Sequence, residues 1–195
     1  MIRHDDEPLV LFQRWYARAR RAGLPLPDAM ALATADKRGR PSVRFVLLKG
    51  ADPRGFVFFT DARSPKGRDL RTTGRAAAVF YWHPIGKQVR IAGPVEEVAE
   101  AEADAYWRTR PRASRLAALA SSQSATLASR ADLLTRWREL HATHRGQPVP
   151  RPRAWTGFRI RPEEIEFWTR GAHRLHRRER YTRRRGRWVR TLLQP

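Results

Sequence analysis

The chain has 195 residues, 41% of them hydrophobic, with seven Trp, eight Phe, no Cys and a formal net charge of +21. That length suits a single domain with a real core, and the aromatic content excludes a disordered polyelectrolyte. The missing Cys excludes disulfides and thiolate metal centres, and no apolar run approaches the roughly 18 residues of a membrane-spanning helix.

The first element predicted is a helix over Pro8–Ala22, where Leu9, Phe12, Trp15 and Ala19 recur at helical spacing and Gly23 stands at the C-terminal cap. Short apolar runs follow. Ala29–Ala35, Ser42–Lys49 and Phe56–Thr60 read as consecutive strands of an antiparallel meander, turned by Asp36–Gly39 and Gly50–Gly55. Ser64 and Pro65 make a good helix start, as N-cap and first helical residue, for a short helix ending near Gly74. Ala76–His83 and Gln88–Val98 return to strand around Pro84–Gly86. Helices are expected over Glu100–Arg108, broken by Pro111, over Ser114–Ala120, and from Ser129 as the longest, with Leu133, Leu134, Trp137 and Leu140 on one side. Gly146–Pro152 reads as a loop. The last third reads as strands at Trp155–Ile160, Ile165–Thr169, His173–Tyr181 and Trp188–Leu193. Six to eight strands with intervening helices point to a mainly β, α+β chain whose antiparallel barrel hides its edges. The expected organisation is one domain over 1–195: an N-terminal helix in 1–24, barrel strands in 29–98, a helical insertion in 100–145 and C-terminal strands in 155–195.

The start, Met-Ile-Arg-His-Asp-Asp-Glu, has no apolar signal core, so a cytoplasmic location is expected. The positive charge would attract polyanions. It is spread along the chain without a helix-turn-helix, zinc-finger or RNA-recognition signature, so nucleic acid is not the expected partner. Walker-type, Gly-x-Gly-x-x-Gly, His-Glu-x-x-His and Gly-x-Ser-x-Gly motifs are all missing. His141 and His144 lie three apart on a helix with no carboxylate in register, which favours solvated histidines, and no metal site is expected.

Basic and hydroxyl residues at strand ends remain. Arg44 and Lys49 bracket Phe45-Val46-Leu47-Leu48, a run long enough for a buried strand, and burying either cation without an anion would be costly. Thr60, Ser64 and Lys66 stand at the next strand-to-helix turn, where backbone amides can also grip phosphate. If a strand resumes at about His173, period two puts Arg174, His176 and Arg178 on one face and Leu175 and Arg177 on the other. Two guanidinium groups around an imidazole suit a flat anionic aromatic ligand. A solvated basic edge strand would read the same way.

The run Arg44–Lys49, the segment from Phe58 through Lys66, Lys87-Gln88-Val89, Tyr106–Ser114, Ser121–Ser124 and above all Glu166-Phe-Trp168 through His173–Arg178 together resemble the pyridoxamine 5'-phosphate oxidases. These are homodimeric flavin mononucleotide (FMN) enzymes of the antiparallel split β-barrel fold. The resemblance extends in order from about Pro8 to Pro195. It implies that Arg44, Thr60 and Lys66 hold the flavin phosphate with Ser64 nearby, that Phe45, Val46, Leu47, Leu48, Lys49 and Phe59 border the flavin, and that Gln88 bonds its polar edge. Gln123 and Ser124, together with Trp168 and Arg178, would complete that site, in this family from the second subunit. Lys49, Tyr106, Arg110 and Ser114 would clamp the substrate phosphate, while Arg174 and His176 would lie over the pyridine ring as the catalytic pair.

The implied activity is oxidation of pyridoxamine or pyridoxine 5'-phosphate to pyridoxal 5'-phosphate, with O2 as acceptor and hydrogen peroxide as product. Four positions depart from the family pattern: Phe59 in place of Tyr, Pro65 in place of Arg, Arg177 in place of an acidic or amide residue, and Thr156 in place of Gly. The arm before the first helix is also short. Two alternatives are a related FMN oxidase acting on another reduced aromatic, such as a dihydrophenazine, and a non-enzymatic polyanion binder that reuses the barrel.

Overall fold

The computed structural model describes residues 7–195. The reading of residues 1–6 as lacking a signal core, and as a short arm, lies outside the described residues. Helix α1 (Pro8–Arg21) opens with Pro at its first position and ends with Arg18, Arg20 and Arg21 in its last turn. Those cations face the negative end of the helix dipole. Its Phe12 is fully buried, edge-on to Phe56 at 4.8 Å and 5.2 Å from Phe80. A side chain of that size stabilises the fold by about 1.5–3 kcal/mol when buried, and it plugs one end of the barrel.

Strand β1 (Ala29–Ala35) alternates, with Met30, Leu32 and Thr34 inward. It pairs with β2 (Pro41–Leu47) from Ala29–Leu47 to Ala35–Pro41. The expectation of a buried strand over Phe45–Leu48 fails here. β2 ends the sheet, so Val43 and Phe45 are 68% and 77% exposed while the Arg44 and Val46 side chains turn to the other face.

The meander also stops at β2. Gly50–Gly55, expected as a loop, forms a tight hairpin of β3 (Gly50–Asp52) and β4 (Gly55–Asp61), and β4 then pairs with β7 (Trp155–Ile160) rather than β2. Asp52 makes this hairpin by accepting the backbone N–H groups of Arg54 and Gly55.

After helix α2 (Pro65–Thr73) come β5 (Arg75–Trp82) and β6 (Lys87–Glu97). The eleven-residue β6 serves two sheets. Its first half pairs with β8 (Glu164–Thr169) and its last residues, Val95–Glu97, pair with β7. With β9 (Arg177–Arg184) and β10 (Arg187–Leu193), the main path runs β10-β9-β8-β6-β5-β1-β2, with β7, β4 and β3 curling off β6. Among the described residues, ten strands therefore replace the six to eight expected. Phe56, Phe58, Phe80, Phe158, Phe167, Ile91 and Ile160 fill the interior.

Helices α3 (Glu100–Thr109), α4 (Arg112–Ala120) and α5 (Arg130–Thr143) cover the β4–β7 side through a second cluster of Trp107, Leu116, Val149 and Trp155. α5 equals α1 in length at 14 residues rather than exceeding it. Only its Trp137 and Leu140 pack on that cluster, while Leu134 is 42% exposed.

The strand expected to resume at His173 does not form there. His173 and Arg174 have φ of 51° and 63° inside a short 3-10 turn, a left-handed backbone that no strand accommodates. Strand β9 begins at Arg177, so alternation does not place Arg174 and His176 on one face with Arg178.

Candidate active site

A cleft of about 820 Å³ opens between β2, the end of β4, the start of α2 and the turn from α3 into α4. One end is cationic. Lys66 is 8% exposed, and its ammonium donates to Gln123 Oε1 at 2.9 Å, Thr60 Oγ1 at 3.2 Å and Ser64 Oγ at 3.3 Å, all neutral groups. Burial, and then the neighbouring Arg44, push its pKa below the ordinary lysine value. Arg44 is held by Thr34 and Ser42, each at 2.7 Å, and Thr34 in turn donates to Asp69 at 2.7 Å. Two adjacent cations, one buried among neutral partners, form a site that an anion completes.

The sequence explains this local structure. Ser64 caps α2 by accepting the Gly67 N–H and donates to the Asp61 carbonyl, which aims the helix start at Lys66. The first turn of α2 carries no acidic residue, so its positive end adds to the field.

The other end of the cleft is aromatic. Tyr106 stacks on Phe59 at 4.1 Å, Phe59 on Trp155 at 5.1 Å, and the Arg110 guanidinium lies 4.7 Å from the Trp155 ring. Gly157 makes the stack possible, because a Cβ there would come 2.7 Å from the Phe59 ring. Arg110 donates to the Ser114 carbonyl at 3.3 Å, and burial lowers its pKa. Lys49, also on the cleft wall, is paired with Asp28 at 2.9 Å. Arg110 is thus the freer cation at this end.

Of the residues expected at the site, Arg44, Phe45, Val46, Leu47, Lys49, Phe59, Thr60, Lys66, Tyr106, Arg110, Ser114, Gln123 and Ser124 line this one cleft. Leu48 is buried in the core, and Ser64 serves as a fully buried helix cap. Gln123 meets Lys66 at 2.9 Å within one chain, and Ser124 lines the same cleft, where the resemblance had implied a contribution from the second subunit. The Gln123 oxygen also accepts the Thr60 hydroxyl at 2.7 Å.

Gln88, Trp168, Arg174, His176 and Arg178 do not line the cleft. Gln88, Trp168, His176 and Arg178 gather on the outer face of the main sheet, and Arg174 sits in the exposed turn that precedes β9. Gln88, Trp168 and Arg178 are successive cross-strand partners, and His176 lies 4.5 Å from the Trp168 ring. The Gly171 N–H donates to His176 Nδ1 at 3.2 Å, which leaves the ring proton on Nε2.

Sequence reasoning gave no role to Thr34, Asp69 or Glu166. Glu166 is 2% exposed and accepts Arg178 Nε at 2.8 Å and Arg90 Nη1 at 3.0 Å. A polar residue at an inward position of an alternating strand was the available signal for Thr34. Among the described residues, no group of three or more His, Asp or Glu side chains is placed to hold a metal ion, and no helix is long and apolar enough to cross a membrane.

An antiparallel barrel split along β6, with an anion-seeking cleft on one wall, defines the class as a split-barrel protein. Residues 17–169 match the family model for pyridoxamine 5'-phosphate oxidase, and residues 155–195 match the model for the pyridoxine 5'-phosphate oxidase C-terminal dimerisation region. The chain belongs to the pyridoxamine 5'-phosphate oxidase family.

The pyridoxine/pyridoxamine 5'-phosphate oxidase of Rubrobacter xylanophilus is 49% identical over 191 residues, covering 98% of this chain and 88% of that one. The protein of the same name from Anaeromyxobacter dehalogenans is 50% identical over 189 residues, covering 97% and 96%. Among solved structures, PhzG from Burkholderia lata, in complex with tetrahydrophenazine-1-carboxylic acid, superposes with a TM-score of 0.93 at 41% identity over 97% of this chain and 93% of that one.

Proposed function

We propose that this chain is an FMN-dependent oxidase that converts pyridoxamine or pyridoxine 5'-phosphate to pyridoxal 5'-phosphate, with O2 as acceptor and hydrogen peroxide as product. The observation that carries this reading is a single cleft with separate cationic ends, Arg44 with Lys66 and Arg110 with Lys49, on a chain about half identical to relatives of that name. Two cationic ends suit two phosphate monoesters, one on the cofactor and one on the substrate.

The residues fit the flavin phosphate, since Lys66 is a buried cation that meets no carboxylate oxygen directly and sits at an unneutralised helix start. Arg44, Lys66, Thr60, Gln123 and Ser124 would hold that phosphate, with Phe45, Val46 and Leu47 along the ring. When bound, the flavin takes two electrons from the substrate and passes them to dioxygen. The protein's own work is positioning. Arg110 and Lys49 anchor the substrate phosphate, with Tyr106 and Ser114 beside them.

A second copy would supply Gln88, Trp168, Arg174, His176 and Arg178, none of which reaches the cleft of its own chain. The dimerisation-region match over residues 155–195 and the exposed apolar face of Val43, Phe45 and Tyr81 support that homodimer. Arg174 would hold the pyridine ring, and His176, protonated at Nε2, would donate a hydrogen bond to it.

The test is the absorption spectrum of the purified protein before and after anaerobic addition of pyridoxamine 5'-phosphate. A flavin spectrum that bleaches is expected, and a colourless protein, or a flavin that stays oxidised, overturns the reading. The likeness to PhzG favours a second reading, oxidation of a reduced phenazine-type aromatic. Faster turnover of such a compound than of the phosphorylated pyridines would select it.

A further inference from the structure

Glu166 stands in β8 between Ile165 and Phe167, whose side chains fill the core, so strand alternation turns it to the outer face with Trp168. It is nevertheless 2% exposed. A carboxylate buried this far is costly unless donors satisfy both oxygens. Here Oε1 accepts Arg178 Nε at 2.8 Å, and Oε2 accepts Arg90 Nη1 at 3.0 Å. We propose that Glu166 is a positioning residue for the flavin site: it sets the direction in which the Arg178 side chain leaves the sheet, and so the grip that one subunit lends to the flavin held by the other. This rests on the flavin and homodimer reading above and deepens it.

Glu166 passes over its nearest arginine on β9. In the ladder its direct neighbours are Arg90 on β6 and Arg180 on β9. Arg180 turns instead to Glu164, at 3.9 Å, while Glu166 reaches diagonally to Arg178, the register partner of Trp168. Long side chains can span such a diagonal. The carboxylate is therefore committed to the arginine that borders Trp168 rather than to the one directly opposite.

Arg178 is also held from its far side, where Nη1 donates to the Gln194 carbonyl at 3.1 Å, just past the end of β10. The two anchors fix the guanidinium plane. Nη2 has no protein acceptor among the described residues, so its N–H donors keep a set direction for a ligand oxygen. Arg90 shares the same carboxylate without a second anchor, and its side chain is half exposed. If the burial of Glu166 served the sheet alone, losing either ion pair would have the same consequence for the flavin. If it serves Arg178, only one loss matters.

The experiment titrates flavin-free full-length protein with FMN by calorimetry, for the native chain, Glu166→Gln, Arg178→Met, the two combined, and Arg90→Met, with thermal melts of each preparation. Glu166→Gln is expected to weaken FMN about tenfold, and Arg178→Met about tenfold or more, the scale of one charge-assisted hydrogen bond. The combined variant should bind within about twofold of Arg178→Met, because Glu166 then has no flavin contact left to orient. Arg90→Met, which breaks the other ion pair of the same carboxylate, should stay within about twofold of the native chain. Native affinity in Glu166→Gln or Arg178→Met, additive losses in the combined variant, or equal losses in Arg90→Met and Glu166→Gln overturn the proposal. Where melts show Glu166→Gln unfolded, Glu166→Asp decides: it keeps the charge but withdraws it from Arg178, so FMN should weaken about fivefold or more. Native affinity there, or unfolding of both variants, assigns Glu166 to the fold alone. Failure of the native chain to bind FMN would instead remove the flavin reading.

Discussion

The Lys66 ammonium lies 2.9 Å from Gln123 Oε1, which ties the start of α2 to the turn that follows α4. That oxygen also accepts the Thr60 hydroxyl at 2.7 Å, so one side-chain amide joins three separate segments around the anion-seeking end of the cleft. Gln123→Glu should therefore neutralise Lys66 and compete with a phosphate. Flavin affinity is expected to fall about 10- to 100-fold, while the melting temperature of the flavin-free protein rises, because the buried cation gains a charged partner. Calorimetry and thermal melts of the same preparations check both. A variant that binds flavin as well as the native chain would show that Lys66 does not hold the phosphate.

The lowered pKa of Lys66 sets a pH dependence. Its folded value lies below the ordinary one through burial, reinforced by Arg44. Between the two values the unfolded chain still carries a proton that the folded chain has lost, so stability of the flavin-free protein rises with pH across that window. Below the window the full cost of the buried charge is present. Anion binding needs the charged form, so flavin affinity should fall as pH rises through the same window. Lys66→Met should flatten both dependences and weaken flavin binding at neutral pH by about tenfold or more. Melting temperatures and affinities measured from neutral to alkaline pH decide this; a native profile that Lys66→Met leaves unchanged would assign the dependence elsewhere.

Local chemistry was legible in the sequence where it is decided by neighbours. Ser64-Pro65 announced α2 because a cap and a fixed φ are properties of two adjacent residues, and the short apolar run Ala29–Ala35, bounded by turn residues, announced β1. Pairing was not legible, because β4 joins β7 about a hundred residues later and nothing local records that choice. The run Phe45–Leu48 looked buried because apolar residues usually are; Leu48 is, but Phe45–Leu47 lie on the last strand of the path, whose outer face, with Phe45, is left for another surface to cover. The motif at 173–178 misled in the opposite way: its residues are legible, but two left-handed backbone positions set their directions, and side-chain period carries no information about those.

Arg110 owes its position to aromatic packing rather than to a carboxylate. The guanidinium lies 4.7 Å from the Trp155 ring and 5.5 Å from Trp107, and its one hydrogen bond runs to the Ser114 carbonyl. A planar fork stacked in this way can grip a phosphate with two parallel bonds, which a lysine cannot reproduce. Arg110→Lys is expected to raise KM for pyridoxamine 5'-phosphate about tenfold or more with kcat little changed, the pattern of lost uniform binding. Steady-state kinetics on the phosphorylated substrate measure it. An equal fall in kcat at unchanged KM would place Arg110 in the chemical step instead.

Gly171 governs the turn that carries Arg174 and His176. A Cβ at this position would come 2.0 Å from the Leu175 carbonyl oxygen, too close for any side chain, and the Gly171 N–H is the donor that fixes the His176 tautomer. Gly171→Ala must open the turn, moving both residues and releasing the imidazole. The turn is exposed, and the sheet pairing of Trp168 with Gln88 and Arg178 does not depend on it. The variant should therefore keep its bound flavin and its melting temperature while kcat falls by about a hundredfold, the scale on which a displacement near 1 Å acts on a positioned group. Flavin content by absorbance, thermal melts and turnover on one preparation separate the outcomes: native turnover in a well-folded Gly171→Ala protein would remove Arg174 and His176 from the reaction.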